Sequence, residues 1–251
     1  MKLNLQVGEQ TIPAEEILPL LSRYQILPQL AKEIIIDRAI ATIECTAEEK
    51  QLAQQQFLQQ NQIGQEQVPA WLEQKGITPE EFEKQLLKGI KLDKYKKNKF
   101  GADVEGYFRK RKPQLDQVVY SLIRHQDAGT IQELFFRIQE NESSFVDEAR
   151  KHSQGPEAQT GGLIGPVEIH TPNPKIAKIL SESKPGQVWS PTKVGEWFVL
   201  VRLEKYIAAQ FDQPMQQRLI DELFQTWLRE QIQQTVTLVP AETVTNSSLE
   251  I

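Results

Sequence analysis

The chain has 251 residues, 39% hydrophobic and 25% charged, with a formal net charge of −5 at pH 7. That balance suits one or two globular domains and argues against whole-molecule attraction to nucleic acid or to an anionic membrane surface. A mean hydropathy of −0.47 and many glutamines predict much exposed helical surface. No apolar stretch approaches the ~20 residues of a membrane helix, and Pro13, Glu15 and Glu16 interrupt the N-terminal segment before it resembles a signal. No membrane partner is expected, and the cytoplasm is the expected location unless a leader once preceded this sequence.

Weak alternation from Leu3 to Ile12 around Gly8-Glu9 predicts a short hairpin. Pro13 then opens a helical region in which Leu18, Leu21, Ile26, Leu30 and Ile34 are spaced for one buried face, with a kink or break at Pro28. Cys45 is expected to be a small, semi-buried residue, and as the single cysteine it excludes an internal disulfide. Thr46-Ala47-Glu48-Glu49 and Thr78-Pro79-Glu80-Glu81 are capping boxes, in which hydroxyl and carboxylate satisfy the free N–H groups of a helix start. The first opens a glutamine-rich helix with Leu52, Phe57 and Leu58 as apolar positions. The second opens one with Phe82, Leu86 and Ile90 at four-residue spacing.

From Lys88 to Lys112 the chain turns basic, with Tyr95, Phe100, Tyr107 and Phe108 interleaved. Base stacking is one reading of such a run. Asp93, Asp103 and Glu105 interrupt it, however, and the aromatics sit where amphipathic helices need core anchors, so a solvated helix face is expected and no nucleic acid. After Pro113, Val118–Ile123 predicts a strand; Ile131, Leu134, Phe135 and Ile138 mark a helix face; and Ser144 caps a short helix through Arg150. Gly161-Gly162-Leu163-Ile164-Gly165 predicts a tight turn and short strand. Asn173-Pro174 starts a helix ending near Ser183, Lys184-Pro185-Gly186 a turn, Gln187–Ser190 a short strand, and Trp197–Leu203 the last strand. Met215–Ile232 is a strong amphipathic helix whose natural partner is the N-terminal helical region.

The segment from about Gln117 to Tyr206 resembles the parvulin family of peptidyl-prolyl isomerases. Ser144-Phe145-Val146-Asp147-Glu148-Ala149 is similar to that family's DFAELA helix, and Gly161-Gly162-Leu163-Ile164-Gly165 to its GGDLG turn. Lys184-Pro185-Gly186 resembles the KPGE turn, and Gly195-Glu196-Trp197-Phe198-Val199-Leu200-Val201 the closing strand. Upstream, Gly76-Ile77-Thr78-Pro79-Glu80-Glu81-Phe82 resembles SurA-type N-terminal chaperone domains. The resemblance implies an α+β chain. Residues 1–116 would form a SurA-like helical domain, with a parvulin-like (PpiC-type) domain inserted at 117–207, its four-stranded antiparallel sheet flanked by helices. A C-terminal helix at 208–239 would return to the first domain, and 240–251 would be a disordered tail.

It also implies a folding factor whose clients are unfolded or proline-containing polypeptides. Parvulins place the proline ring in an apolar pocket beside a hydrogen-bonded pair of histidines. Carried over, the two histidine positions fall on Ser121 and Trp197, and the Asp or Cys position on Gly155. Leu163, His170, Pro172, Ile176, Ile179 and Trp197 are the expected substrate-binding residues. The expected activity is thus a peptidyl-prolyl isomerase or folding chaperone with a degenerate catalytic site, the alternative being a client-holding protein without catalysis. His125 follows the first strand, His152 is expected to be structural, and His170 at the cleft rim either meets a ligand or is a solvated loop residue. Three dispersed histidines and one cysteine give no metal spacing, no cofactor motif is present, and the apolar helices leave a homodimer open.

Overall fold

The computed structural model describes residues 4–236; the expected tail from residue 240 lies outside them. Among the described residues the chain divides into two compact units. One runs to Val104 and resumes at Gln217, and the other spans Glu105–Gln216.

In the first unit Leu5–Val7 (β1) and Gln10–Ile12 (β2) form the antiparallel hairpin. Two helices follow, Ala14–Arg23 (α1) and Leu27–Ile40 (α2). The chain breaks at Tyr24–Ile26 and Pro28 sits in the first turn of α2, where a missing N–H costs nothing, so the proline starts a helix rather than kinking one. The expected buried face is also corrected. Leu18, Ile26, Leu30 and Ile34 are 40–54% exposed, while Ile36 and Ile40 are the buried positions. Spacing identifies a helix face, but only a partner decides whether it is covered.

Both capping boxes form. Thr46 and Glu49 exchange side-chain-to-backbone bonds at the start of Ala47–Asn61 (α3), as do Thr78 and Glu81 at the start of Pro79–Phe100 (α5). On α3 the buried residue is Ala53, and Leu52 is exposed. Phe57, Trp71 of Val68–Lys75 (α4) and Phe82 meet edge to face, with ring centroids 4.8–6.2 Å apart. The basic run is largely ion-paired. Lys88 meets Glu33 and Asp37, Lys94 meets Glu49, and Lys96 meets Asp221. Phe224 and Leu228 of the last helix, Gln213–Thr235 (α10), pack in one core with Ile36 and Ile40.

The second unit is built on one antiparallel sheet. After Val104–Leu115 (α6), Gln117–His125 (β3) leads to Ala128–Gln139 (α7) and Phe145–His152 (α8). A 3₁₀ turn at Pro156–Thr160 precedes Leu163–Glu168 (β4). Pro174–Glu182 (α9), Thr192–Val194 (β5) and Trp197–Ile207 (β6) complete it. The strand order is β4-β3-β6-β5. The short strand expected at Gln187–Ser190 is instead a loop that touches β6 at Val188 opposite Arg202, and the edge strand lies at Thr192–Val194.

The two strands at the centre, β3 and β6, are buried on both faces. On one face Val118, Tyr120, Leu122, Val199, Val201 and Leu203 pack with Ile176, Ile179 and Leu180 of α9. On the other, Ile123 and Leu200 pack with Ile131, Leu134, Ile138, Phe145 and Ala149 from α7 and α8. Each fully buried aliphatic side chain contributes about 1.5–3 kcal/mol by leaving water, so the two layers together fix the position of the sheet. A bulge between Val119 and Tyr120 shifts the register against β6.

Candidate functional site

Beside α9 the sheet face opens into a groove of about 360 Å³. Tyr120, Leu122 and Arg124 line it from β3, Ile164 from β4, and Pro172, Asn173 and Ile176 from the start of α9. Val194, Gly195, Trp197 and Val199 close it from β5 and β6. The central strands β3 and β6 contribute alternate residues, as a pleated sheet requires. Apart from Tyr120, Arg124, Asn173 and Gly195, the seven other lining residues carry aliphatic or aromatic side chains, so the walls can take an apolar ring and exclude water from it.

Of the residues expected to bind substrate, Pro172, Ile176 and Trp197 line this groove together. Ser121 does not join them. It is 1% exposed on the opposite face of β3, where its hydroxyl donates to Glu204 Oε1 at 2.5 Å beside Arg202, which donates to the same oxygen at 2.8 Å. Of its neighbours on β3, it is Tyr120, with Leu122 and Arg124, that faces the groove. Ile179 is buried in the layer under α9, and Leu163 is 49% exposed at the start of β4; neither lines the groove. His170 is also outside the lining set, held through Nδ1 to the Gln114 carbonyl at 2.9 Å and near Glu168 at 3.5 Å.

A charged pair supports one part of the groove wall. Arg124 donates through Nε and Nη2 to the two carboxylate oxygens of Glu157, at 2.8 and 2.7 Å, a bidentate geometry. The Glu157 side chain is 2% exposed and that of Arg124 31%. Ser153 adds a third donor, its hydroxyl 2.6 Å from Glu157 Oε1, and accepts the Arg124 amide at 3.1 Å. Gly155 leaves room for this arrangement. A Cβ there would stand 2.2 Å from Glu157 Oε2 and 2.4 Å from Arg124 Nε, so any side chain at the position that the resemblance assigns to an Asp or Cys would have to displace this ion pair. Burial in the groove wall pushes the Tyr120 hydroxyl above its ordinary pKa, keeping it a neutral donor.

A family model described as Rotamase, PPIC-type PPIASE domain, matches residues 123–205. Those residues run from within β3 into β6 and contain the groove-forming α9 and β4. The second unit carries a PpiC-type PPIase domain. No curated protein matches the chain. Among solved structures, the peptidylprolyl isomerase PrsA from Bacillus cereus is 14% identical, with 96% of this chain and 95% of that one covered and a TM-score of 0.48. PrsA from Bacillus anthracis is 17% identical over 84% of this chain and 100% of that one, TM-score 0.44. A Campylobacter jejuni structure reported with the SurA-like chaperones PEB4 and Cj1289 is 16% identical over 96% and 100%, TM-score 0.38.

Within the PpiC-type domain the histidines take other work. His125 Nδ1 accepts the Asp127 amide at 3.0 Å where β3 hands over to α7, and His152 Nε2 lies 3.3 Å from the buried Glu148 carboxylate. None of the residues lining the groove is a histidine. Sequence reasoning missed Tyr120, Arg124 and Glu157. The alternation Tyr120, Leu122, Arg124 was available as a signal, but a strand apolar on both faces does not reveal which parity meets the groove.

Proposed function

We propose that this protein is a folding factor that takes extended, proline-containing polypeptide into the groove between Tyr120 and Trp197, without the imidazole pair that parvulins use. The observation that carries this reading is the apolar groove itself, set inside a PpiC-type domain with no histidine in its lining. An X–Pro amide rotates over a barrier of roughly 20 kcal/mol because resonance must be broken. An apolar wall that desolvates the amide and fits its twisted form better than its planar forms lowers that barrier without acid–base chemistry. NMR exchange spectroscopy on a set of Xaa-Pro peptides tests this directly. Faster cis–trans exchange in the presence of the protein, lost in Trp197→Ala, is the expected result. Peptides that neither bind nor exchange faster at high protein concentration, whatever the Xaa residue, would remove the proposal.

A second reading is favoured by the exposed apolar side chains of α1 and α2, Leu18, Ile26, Leu30 and Ile34. In it the chain holds clients without turning over their prolines. It predicts suppression of aggregation of a thermally unfolding client that survives both Trp197→Ala and His170→Ala. Loss of protection in either variant would count against it.

A further inference from the structure

The hydroxyl of Tyr120 has no work to do in the fold. Tyr120 is 5% exposed and lines the groove, and no hydrogen bond among the described residues uses its hydroxyl. The ring is buried, and the hydroxyl at its end, which no described residue bonds, is open to the water of the groove rather than sealed in the core. Two neighbouring polar groups are already engaged. Asn173 Oδ1 accepts the Lys175 amide at 3.0 Å, and Arg124 spends two nitrogens on Glu157. The walls on either side, Leu122, Ile164, Ile176 and Val199, offer no acceptor.

We propose that the Tyr120 hydroxyl donates a hydrogen bond to a main-chain carbonyl of the peptide held in the groove, and is thereby the residue that distinguishes peptide from any apolar molecule of similar size. The assignment rests on the reading that the groove takes polypeptide. Its chemistry follows from the inventory of the site. A tertiary X–Pro amide has no N–H to give, so an extended proline-containing segment meets a pocket mainly through carbonyl oxygens and the apolar ring. A pocket for it needs a donor and an apolar wall. Tyr120 supplies the donor, since a phenol, whose ordinary value of 10.0 burial raises further, stays protonated across the physiological pH range. The hydroxyl, bonded to none of the described residues, is free to meet a ligand, which then displaces water rather than an existing protein bond.

Tyr120→Phe keeps the ring and removes only the hydroxyl. The full chain, ¹⁵N-labelled, is titrated with acetyl-Ala-Ala-Pro-Phe-amide, and thermal unfolding of both proteins is followed in parallel. The expected result is binding about tenfold weaker in the variant, with a Tm equal to or above that of the parent. Equal affinity for the peptide would overturn the assignment while leaving peptide binding intact. A variant that binds weakly and also melts several degrees lower would overturn it too, since the hydroxyl would then be a structural bond. If the parent itself shows no shifts at millimolar peptide, the reading of the groove as a polypeptide site falls, and this inference with it.

Discussion

Replacing Arg124 by methionine exposes how much the groove wall depends on one buried charge. In the native chain the Glu157 carboxylate accepts Arg124 Nε at 2.8 Å, Arg124 Nη2 at 2.7 Å and the Ser153 hydroxyl at 2.6 Å, with its side chain 2% exposed. Methionine keeps the apolar stem and deletes two charge-assisted donors, leaving a buried anion with one neutral partner. Removing one member of a buried pair costs about 3–5 kcal/mol. Because the Arg124 side chain is 31% exposed, water from the groove screens the loss, and about 3 kcal/mol is the expected value. Glu157→Gln should cost less, about 1–2 kcal/mol, since the half-open guanidinium can recruit water where the carboxylate cannot. The double variant Arg124→Met/Glu157→Gln should be more stable than Arg124→Met alone, because a neutral amide needs no counter-charge. Hydrogen exchange of the Gln117–His125 and Trp197–Ile207 amides reports the stability of this unit separately from the other, which a whole-chain melt would blend. An Arg124→Met loss below about 1 kcal/mol, or a double variant equal to the sum of the singles, would refute the reasoning.

Three further outcomes are expected. Tyr206 donates to the buried Asp116 carboxylate, which also accepts the Ala209 amide at 2.7 Å and Lys112 at 3.0 Å. Burial alone would raise the Asp116 pKa, but the three donors together hold it below the ordinary value, so its contribution is complete above that value and lost as pH falls through the lowered one. Burial first, and then the Asp116 charge, push the Tyr206 hydroxyl up to about 12; its contribution is complete below the unfolded value of 10.0 and lost as pH climbs through the folded one. Tyr206→Phe should abolish the alkaline loss of stability between those values, as measured by denaturation against pH. Thr78→Ala removes the hydroxyl that accepts the Glu81 amide at 3.2 Å, and should destabilise the first unit by about 1 kcal/mol, seen as faster exchange in the first turns of α5. Gly162→Ala places a Cβ 2.9 Å from the Leu122 carbonyl at a backbone φ of +87°, and should cost about 1–3 kcal/mol or displace β4 from β3, visible in the same exchange measurement.

What the sequence held and what it withheld differ by the range of the interactions involved. The capping boxes at Thr46 and Thr78, the Ser144 and Asn173 helix starts, and the order of strands and helices after Gln117 all form as read, because each depends on residues within a few positions of one another. Apolar spacing also located α7 and its buried Ile131, Leu134 and Ile138. Burial was another matter on α1 and α2, where Leu18, Ile26 and Leu30, spaced for one buried face, stay exposed among the described residues. The edge strand was misplaced for a similar reason, since Gln187–Ser190 and Thr192–Val194 both suit extension and only pairing with β6 chose between them.

The groove shows the limit most clearly. Motifs in the sequence carried the resemblance to the PpiC-type family, and three residues expected at its cleft, Pro172, Ile176 and Trp197, line one groove. The sequence could not set the parity of β3, because apolar residues on both faces of a central strand leave a shift by one residue invisible, and such a shift exchanges Ser121 for Tyr120. Nor could it join Arg124 to Glu157, 33 positions apart, across a gap kept open by Gly155. Register and long-range charge pairing are settled by which surfaces meet when the sheet closes on its helices, and that meeting exists only in three dimensions.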